Sequence, residues 1–183
     1  VYNNLRGDLP AKLGLDYDAL GKFNEKVVCC SLSGFGSTGP RVSEPGYDHL
    51  IQAYAGYMSL TGEPDAPPAK CGVSIIDFAG GYASVLGLMI GLFDAQRTGT
   101  GRNVDVSLLD TGIAMLSYFA SWTLNRDWEP TRQENSSHQT LLPSQNFRTR
   151  DGWIVVFCAK EKFYENLVVA MGRPDMATDP RFN

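Results

Sequence analysis

The sequence is poor in the residue patterns that build metal and redox sites. Its four cysteines, Cys29, Cys30, Cys71 and Cys158, form no C-x-x-C pair, and its two histidines, His49 and His138, stand at no ligand spacing from them. No metal site is expected on this pattern, zinc least of all. Cys29 and Cys30 lie side by side in an apolar run, where buried thiols are a simpler reading than a disulfide. Basic blocks are lacking as well. The 16 Lys and Arg are scattered among 20 Asp and Glu, for a net charge of −4, which argues against nucleic-acid binding. One or two local cations would still suffice for a single anionic ligand. No secretory leader opens the sequence, and no uninterrupted apolar run reaches about 18 residues. The nearest approach, residues 78–93, carries Gly80, Gly81, Gly87 and Gly91 and reads as a buried helix rather than a membrane span. The expectation is a cytoplasmic protein with no membrane partner. The chain begins at Val1 rather than Met and stops on Asp179-Pro180-Arg181-Phe182-Asn183, so it is expected to be part of something longer.

What is present is a core-forming composition and one unusual carboxylate. With 183 residues, 43% of them hydrophobic, the chain can fill one core, or one domain and part of another. The run Gly72-Val73-Ser74-Ile75-Ile76-Asp77-Phe78-Ala79-Gly80-Gly81 sets Asp77 between a short apolar stretch and a long helical pattern. At a helix N-terminus, free N–H groups and the positive dipole end favour the charged carboxylate. Gly80 and Gly81 leave the backbone open to a bulky ligand. Asp77 is thus a candidate nucleophile. The plain alternative is an N-cap.

Apolar periodicity and turn residues divide the chain into elements. Residues 1–9 read as the end of a strand and a turn, residues 13–23 as a short amphipathic helix, and residues 26–32 as a strand. A Gly/Pro loop follows at 33–40, a helix at 47–58 and a turn at 61–68. Residues 71–76 are a second apolar segment leading into a helix from Asp77 to about Arg97. Residues 103–108 alternate as a strand, and 110–124 form a second long helix. Residues 145–149 and 153–158 flank Asp151-Gly152 as a hairpin, and 160–171 are helical. The alternation predicts an α/β fold with a largely parallel sheet. In such sheets ligands bind beyond the carboxyl ends of strands, where loop 33–40 and Asp77 both fall.

Several segments, in order, resemble family III CoA-transferases, the group that includes formyl-CoA transferase, carnitine CoA-transferase and alpha-methylacyl-CoA racemase. They are Asn4-Leu5-Arg6-Gly7-Asp8-Leu9-Pro10-Ala11-Lys12-Leu13-Gly14-Leu15, Ser33-Gly34-Phe35-Gly36-Ser37-Thr38-Gly39-Pro40, Pro45-Gly46-Tyr47-Asp48, Ser59-Leu60-Thr61-Gly62, the Asp77 run, Arg97-Thr98-Gly99-Thr100-Gly101-Arg102 with Asn103-Val104-Asp105-Val106-Ser107, and the Asp151-Gly152-Trp153 hairpin. The match covers less than half of a typical member. It implies part of a Rossmann-like CoA-binding domain (residues 1–124, first strands missing), a linker (125–143) and the start of a smaller α+β domain (144–183).

The resemblance further implies an acyl-CoA:carboxylate CoA-transferase with coenzyme A as the carried group and no metal. Asp77 would attack the acyl-CoA carbonyl, and an aspartyl-CoA thioester would hand CoA to a small carboxylic acid. Tyr47 and Asp48 match positions lining the reacting centre, or they simply start and cap a helix. Asn4, Leu5, Lys12 and Leu13 match CoA-contacting positions, although a surface lysine is more often only solvated. Asp8 departs from the glycine common at its place. Phe35 and Gly36 would shape the CoA channel, or form a tight connection. Racemases of the family carry histidine where Tyr47 stands. A phenol, with a reference pKa of about 10, is a poor base near neutrality, so transfer is preferred over racemisation. A non-catalytic CoA-binding or assembly module is the third reading. Members form interlocked homodimers, so a homo-oligomer is expected.

Overall fold

The apolar run Val28–Ser33 forms β2, the middle strand of a three-stranded parallel sheet. It lies between β1 (Tyr2–Asn3) and β3 (Arg102–Ser107). Tyr2 stands opposite Cys30, and the β2–β3 register runs from Val28 opposite Arg102 to Ser33 opposite Ser107. Parallel neighbours cannot be joined by a tight turn. The chain therefore crosses from β2 to β3 through α3 (Asp48–Tyr54) and α4 (Ile75–Thr98). Two one-turn helices, α1 (Leu9–Lys12) and α2 (Tyr17–Leu20), connect β1 to β2, and α5 (Leu108–Met115) and α6 (Tyr118–Arg126) follow β3.

The computed structural model describes residues 1–182, which fall into two units, residues 1–59 with 69–130 and residues 60–68 with 131 onward. The second unit holds the antiparallel hairpin β4 (Ser144–Arg148) and β5 (Trp153–Phe157), then α7 (Glu161–Ala170). Residues 60–68 belong to it because Arg132 donates to the carbonyls of Ala66 and Pro67, and Glu63 accepts the Asn135 N–H at 3.0 Å. Asn183, the last residue of the expected 144–183 segment, lies outside the described residues.

α4 lies on the sheet through its small residues. Ile76, Gly80, Ser84, Gly91 and Ala95 are buried at intervals that keep one helix face. A Cβ added at Gly87 would come within 2.6 Å of Val104 Cγ1, and one at Gly91 within 2.8 Å of Val28 Cγ1. Near the other end, Gly80 faces Leu32 and Leu108, which sit where β2 and β3 finish. The helix thus runs antiparallel to the strands and brings its N-terminus to their carboxyl ends. By length and composition α4 could cross a membrane. Here its glycine face covers a sheet, while Phe78, Tyr82, Val85, Met89 and Phe93 stay exposed on the far side. The expectation of a buried helix is corrected on this point, since only the glycine face is covered. Beside α4, Ile51, Ile76 and Leu108 form a small core, with Leu32, Phe35 and Leu109 packed on it.

Four elements differ from expectation, the first being the helix expected over 47–58, which stops at Tyr54, with Gly56 at φ +91° and a single 3-10 turn at Tyr57–Ser59 beyond it. The helix expected over 13–23 is broken, because Gly14 takes φ +67° and the Asp16 carboxylate accepts from Ala19 N–H to start α2 afresh. The helix expected over 110–124 is two helices parted at Ser117, whose φ of 52° leaves the helical region. Residues 71–74 form no strand, with the chain bending at Gly72 and Val73, and Ile75 and Ile76 already belong to α4.

Candidate active site

Asp77 does not cap its helix. Ser74 is the N-cap, so Asp77 is the third helical residue of α4, and Ser74 makes no side-chain cap bond. The orphan donors of the first turn are served from another helix. Asp48, at the start of α3, accepts the Ile76 N–H at 2.8 Å and, more weakly, the Asp77 N–H at 3.4 Å through one oxygen, Oδ1. These are the donors that an N-cap side chain ordinarily satisfies. Oδ2 of Asp48 accepts from Gln52 Nε2 at 2.6 Å, and Gln52 Oε1 accepts the Cys71 N–H at 2.8 Å. Asp48 and Gln52 are both buried.

The Asp77 side chain faces outward, into an open cleft of about 410 Å³ lined also by Tyr2, Phe78, Gly81, Tyr82, Ser84, Val85 and Leu88. Among the described residues no group donates a hydrogen bond to its carboxylate. Partial burial, and secondarily the Asp48 carboxylate, hold its pKa above the ordinary carboxylate value. This reverses the expectation that the helix terminus would favour the charged form. Asp48 already occupies the N–H groups that carry the positive end of the dipole. The two neighbouring glycines also part company. Gly81 meets nothing within 4 Å and leaves the cleft open, whereas a Cβ at Gly80 would strike Leu108 Cδ2 at 2.7 Å. Gly80 is therefore a packing residue and not an approach to the backbone.

The other expected site residues lie around the same sheet edge with unequal claims. Tyr47 is the N-cap residue of α3 and is 68% exposed; it does not line the cleft. Asn4 is exposed and Leu5 half-buried, immediately beyond β1. Lys12 and Leu13 are exposed, and the Lys12 ammonium donates to Asp8 Oδ2 at 2.7 Å. Arg6 approaches the other Asp8 oxygen at 3.3 Å. Lys12 first, and Arg6 with it, hold the Asp8 carboxyl below its usual pKa. Asp8 itself has φ −82°, which any residue adopts.

Loop 33–40 is fixed from below. Gly36 N–H donates to Ser33 Oγ at 2.9 Å, and Asp105 Oδ2 accepts from both Ser37 N–H and Ser37 Oγ, at 2.9 and 2.5 Å. Gly36 has φ +85°, and a Cβ on Gly7 would lie 1.9 Å from the Gly36 carbonyl oxygen. Phe35 meets Tyr54 edge-on at 5.8 Å, with the Arg41 guanidinium over both rings. Here the glycines make a tight junction of backbone on backbone. Among the described residues no group of three His, Cys, Asp or Glu side chains could hold a metal ion.

The structure thus brings Asp48 and Asp77 together, sets Asn4, Leu5, Phe35 and Gly36 at the same strand ends, and leaves Tyr47 facing solvent. Sequence reasoning missed Gln52. The available signal was its place four residues after Asp48, where Gln and Asp side chains meet on a helix.

Residues 1–183 match the family model described as CoA-transferase family III. A succinate–glutarate CoA-transferase of Agrobacterium fabrum is 36% identical over 182 residues, covering all of this chain and 45% of that protein. An acetyl-CoA:oxalate CoA-transferase of Acetobacter aceti is 36% identical over 180 residues, 98% of this chain and 46% of that one. Among solved structures, a CAIB/BAIF family protein from Brucella suis superposes with a TM-score of 0.82 at 35% identity, over all of this chain and 48% of its own. The chain spans about half the length of the curated relatives it matches.

Proposed function

Since this chain belongs to CoA-transferase family III, we propose that the protein carrying it moves CoA from an acyl-CoA to a small carboxylic acid, with Asp77 as the covalent carrier. The observation behind this is the placement of Asp77. It is an outward-facing carboxylate in the first turn of α4, at the carboxyl edge of a parallel sheet, beside a cleft that Gly81 keeps open.

In the proposed reaction an Asp77 oxygen attacks the acyl carbonyl, the C–S bond breaks, and CoA leaves as thiolate. The resulting mixed anhydride is attacked at the Asp77 carbonyl by that thiolate, which frees the first acid and leaves an aspartyl-CoA thioester. An acceptor carboxylate attacks the thioester, and the same two steps run in reverse. A carboxylate suits this exchange because its anhydride and thioester are as activated as the substrate. Asn4 and Leu5 are placed to meet CoA where it leaves the cleft. Lys12 would first have to exchange Asp8 for a phosphate. The exposed apolar face of α4 supports a homo-oligomer, and four unpaired thiols fit a reducing cytoplasm.

The test is chemical. The full natural protein, incubated with an acyl-CoA and then hydroxylamine, should carry a hydroxamate on Asp77, read by peptide mass spectrometry. Turnover with Asp77 unmodified would refute the assignment.

A further inference from the structure

We infer that Gln52 is a positioning residue for the reaction: from within α3 it fixes the Asp48 carboxylate against the first turn of α4, and so sets the direction in which Asp77 leaves that turn. The inference rests on reading Asp77 as the nucleophile, but its geometry stands by itself. Gln52 is wholly buried, and both ends of its amide are used, one by Asp48 at 2.6 Å and one by the Cys71 N–H at 2.8 Å. The orientation of the amide admits one assignment. A backbone N–H can only donate, so it faces Oε1; the carboxylate accepts, so it faces Nε2.

The arrangement is a chain of single contacts. Residues 69–74 enter α4, and Cys71 in that stretch is tied to Gln52. Gln52 holds Oδ2 of Asp48, which leaves Oδ1 turned to Ile76 and Asp77. Without the amide, Oδ2 has no donor and Asp48 can turn about its side-chain torsions. The entry to α4 also loses its anchor at Cys71. A buried carboxylate short of one donor costs free energy until it moves or takes a proton. Either response releases Ile76 N–H. Asp77 is the next residue.

Charges around this chain are few. On the elements packed against α3 the titratable side chains nearest in sequence to the contact are Asp77 of α4, Asp110 of α5 and Tyr57 of the turn after α3, whose hydroxyl donates to the Gly112 carbonyl at 3.0 Å. On α3 itself are His49, which follows Asp48, and Tyr54, whose hydroxyl accepts from Arg41 at 3.0 Å; in the segment before α4, Lys70 donates to the carbonyls of Cys71 and Gly72. Asp77 is the group whose proton affinity Asp48 raises.

Two substitutions in the full natural protein separate positioning from bulk stability. Gln52→Leu keeps the volume and removes both hydrogen bonds; hydroxamate formation on Asp77 should fall by about 10- to 100-fold, as for a misplaced reacting group. Gln52→Glu keeps the acceptor for Cys71, and while protonated keeps the donor to Asp48. Two carboxyls at this distance hold one proton between them until the pH passes a raised pKa. Gln52→Glu should therefore trap at a rate near that of the unaltered protein at low pH and lose activity along a basic limb that the unaltered protein lacks. Protection of the Ile76 amide from hydrogen exchange should be lost in Gln52→Leu, and in Gln52→Glu along the same limb. Normal trapping in Gln52→Leu overturns the inference, as does equal loss in both variants at every pH, which would make Gln52 structural only. If the unaltered protein forms no hydroxamate on Asp77, the nucleophile reading fails by itself. Ile76 exchange then still decides the case, and unchanged protection in Gln52→Leu overturns the positioning role.

Discussion

Replacing Gly81 by Ala should make the protein more stable and less active. Gly81 is a mid-helix position in α4, where glycine costs about 0.8–1 kcal/mol relative to alanine. A Cβ built there meets no atom within 4 Å, so nothing offsets that gain. With a urea dependence of about 1–3 kcal/mol/M, the unfolding midpoint should rise by roughly 0.3–1 M. The same methyl enters the Asp77 cleft, since residues four apart share a helix face and side chains lean towards the helix N-terminus. It would stand over the carboxylate that, in the proposed reaction, reaches an acyl carbonyl. A displacement of about 1 Å in a reacting pair costs about 10²-fold in rate, so hydroxamate formation should fall by roughly 10- to 100-fold. Gly91→Ala is the control on the same helix. Its methyl would lie 2.8 Å from Cγ1 of Val28, a buried and β-branched side chain with little freedom to yield. Overpacking of about 1–3 kcal/mol should cancel or exceed the helix gain. Unchanged trapping in Gly81→Ala would refute the cleft as the acyl approach. A lowered midpoint would refute the steric reading of Gly81.

Asp77→Asn should abolish transfer and yet stabilise the fold at neutral pH. In the folded state the Asp77 pKa is raised by partial burial and then by Asp48, so its charged form is disfavoured relative to the unfolded chain. That penalty is present above the folded pKa and is relieved as pH falls through it, because the folded state then binds the proton more tightly. The stability advantage of Asp77→Asn, followed by urea unfolding against pH, should shrink on acidification; an advantage that grows would refute the sign. Asp48→Ala removes a buried acceptor of three donors and should cost about 3 kcal/mol by the same measurement, since hydrogen bonds to a charged group are worth about 1.5–3 kcal/mol each and the stranded Gln52 amide adds to the loss. A cost below 1 kcal/mol would show that Asp48 does not cap α4.

The parts of this fold that the sequence displays are those governed by local pattern. β2 and β3 alternate or run apolar between turn residues. The hairpin announces itself at Asp151-Gly152, and α4 ends at Gly99, which takes φ +81° with its N–H on the Ala95 carbonyl. The breaks that were missed have causes outside the pattern. Met115, Leu116, Ser117 and Tyr118 contain no helix breaker, yet the chain turns at Ser117. α3 stops at Tyr54 because Gly56 adopts φ +91°, not because its apolar periodicity lapses. At the site, the nearness of Asp77 to a helix N-terminus was legible. That Asp48 caps this terminus was not, since the partners lie 28 and 29 residues apart and local sequence carries no register for such a pair.

This long-range cap changes what Asp77 is suited to do. An aspartate alone at a helix N-terminus would be bonded by the first-turn N–H groups, and its pKa would fall; a weakly basic carboxylate is a weak nucleophile. By filling those donors with Asp48, the fold leaves the Asp77 carboxylate without hydrogen-bond donors among the described residues and facing a cleft. Its pKa moves up instead of down, towards greater basicity. The buried carboxylate takes the stabilisation that the helix terminus offers, and the exposed one keeps its lone pairs free of donors among the described residues, as the proposed attack on an acyl carbonyl requires. On this argument the pair is not a general acid with a general base. In the proposed reaction Asp48 would act only indirectly, by taking up the Ile76 and Asp77 N–H groups of the first turn.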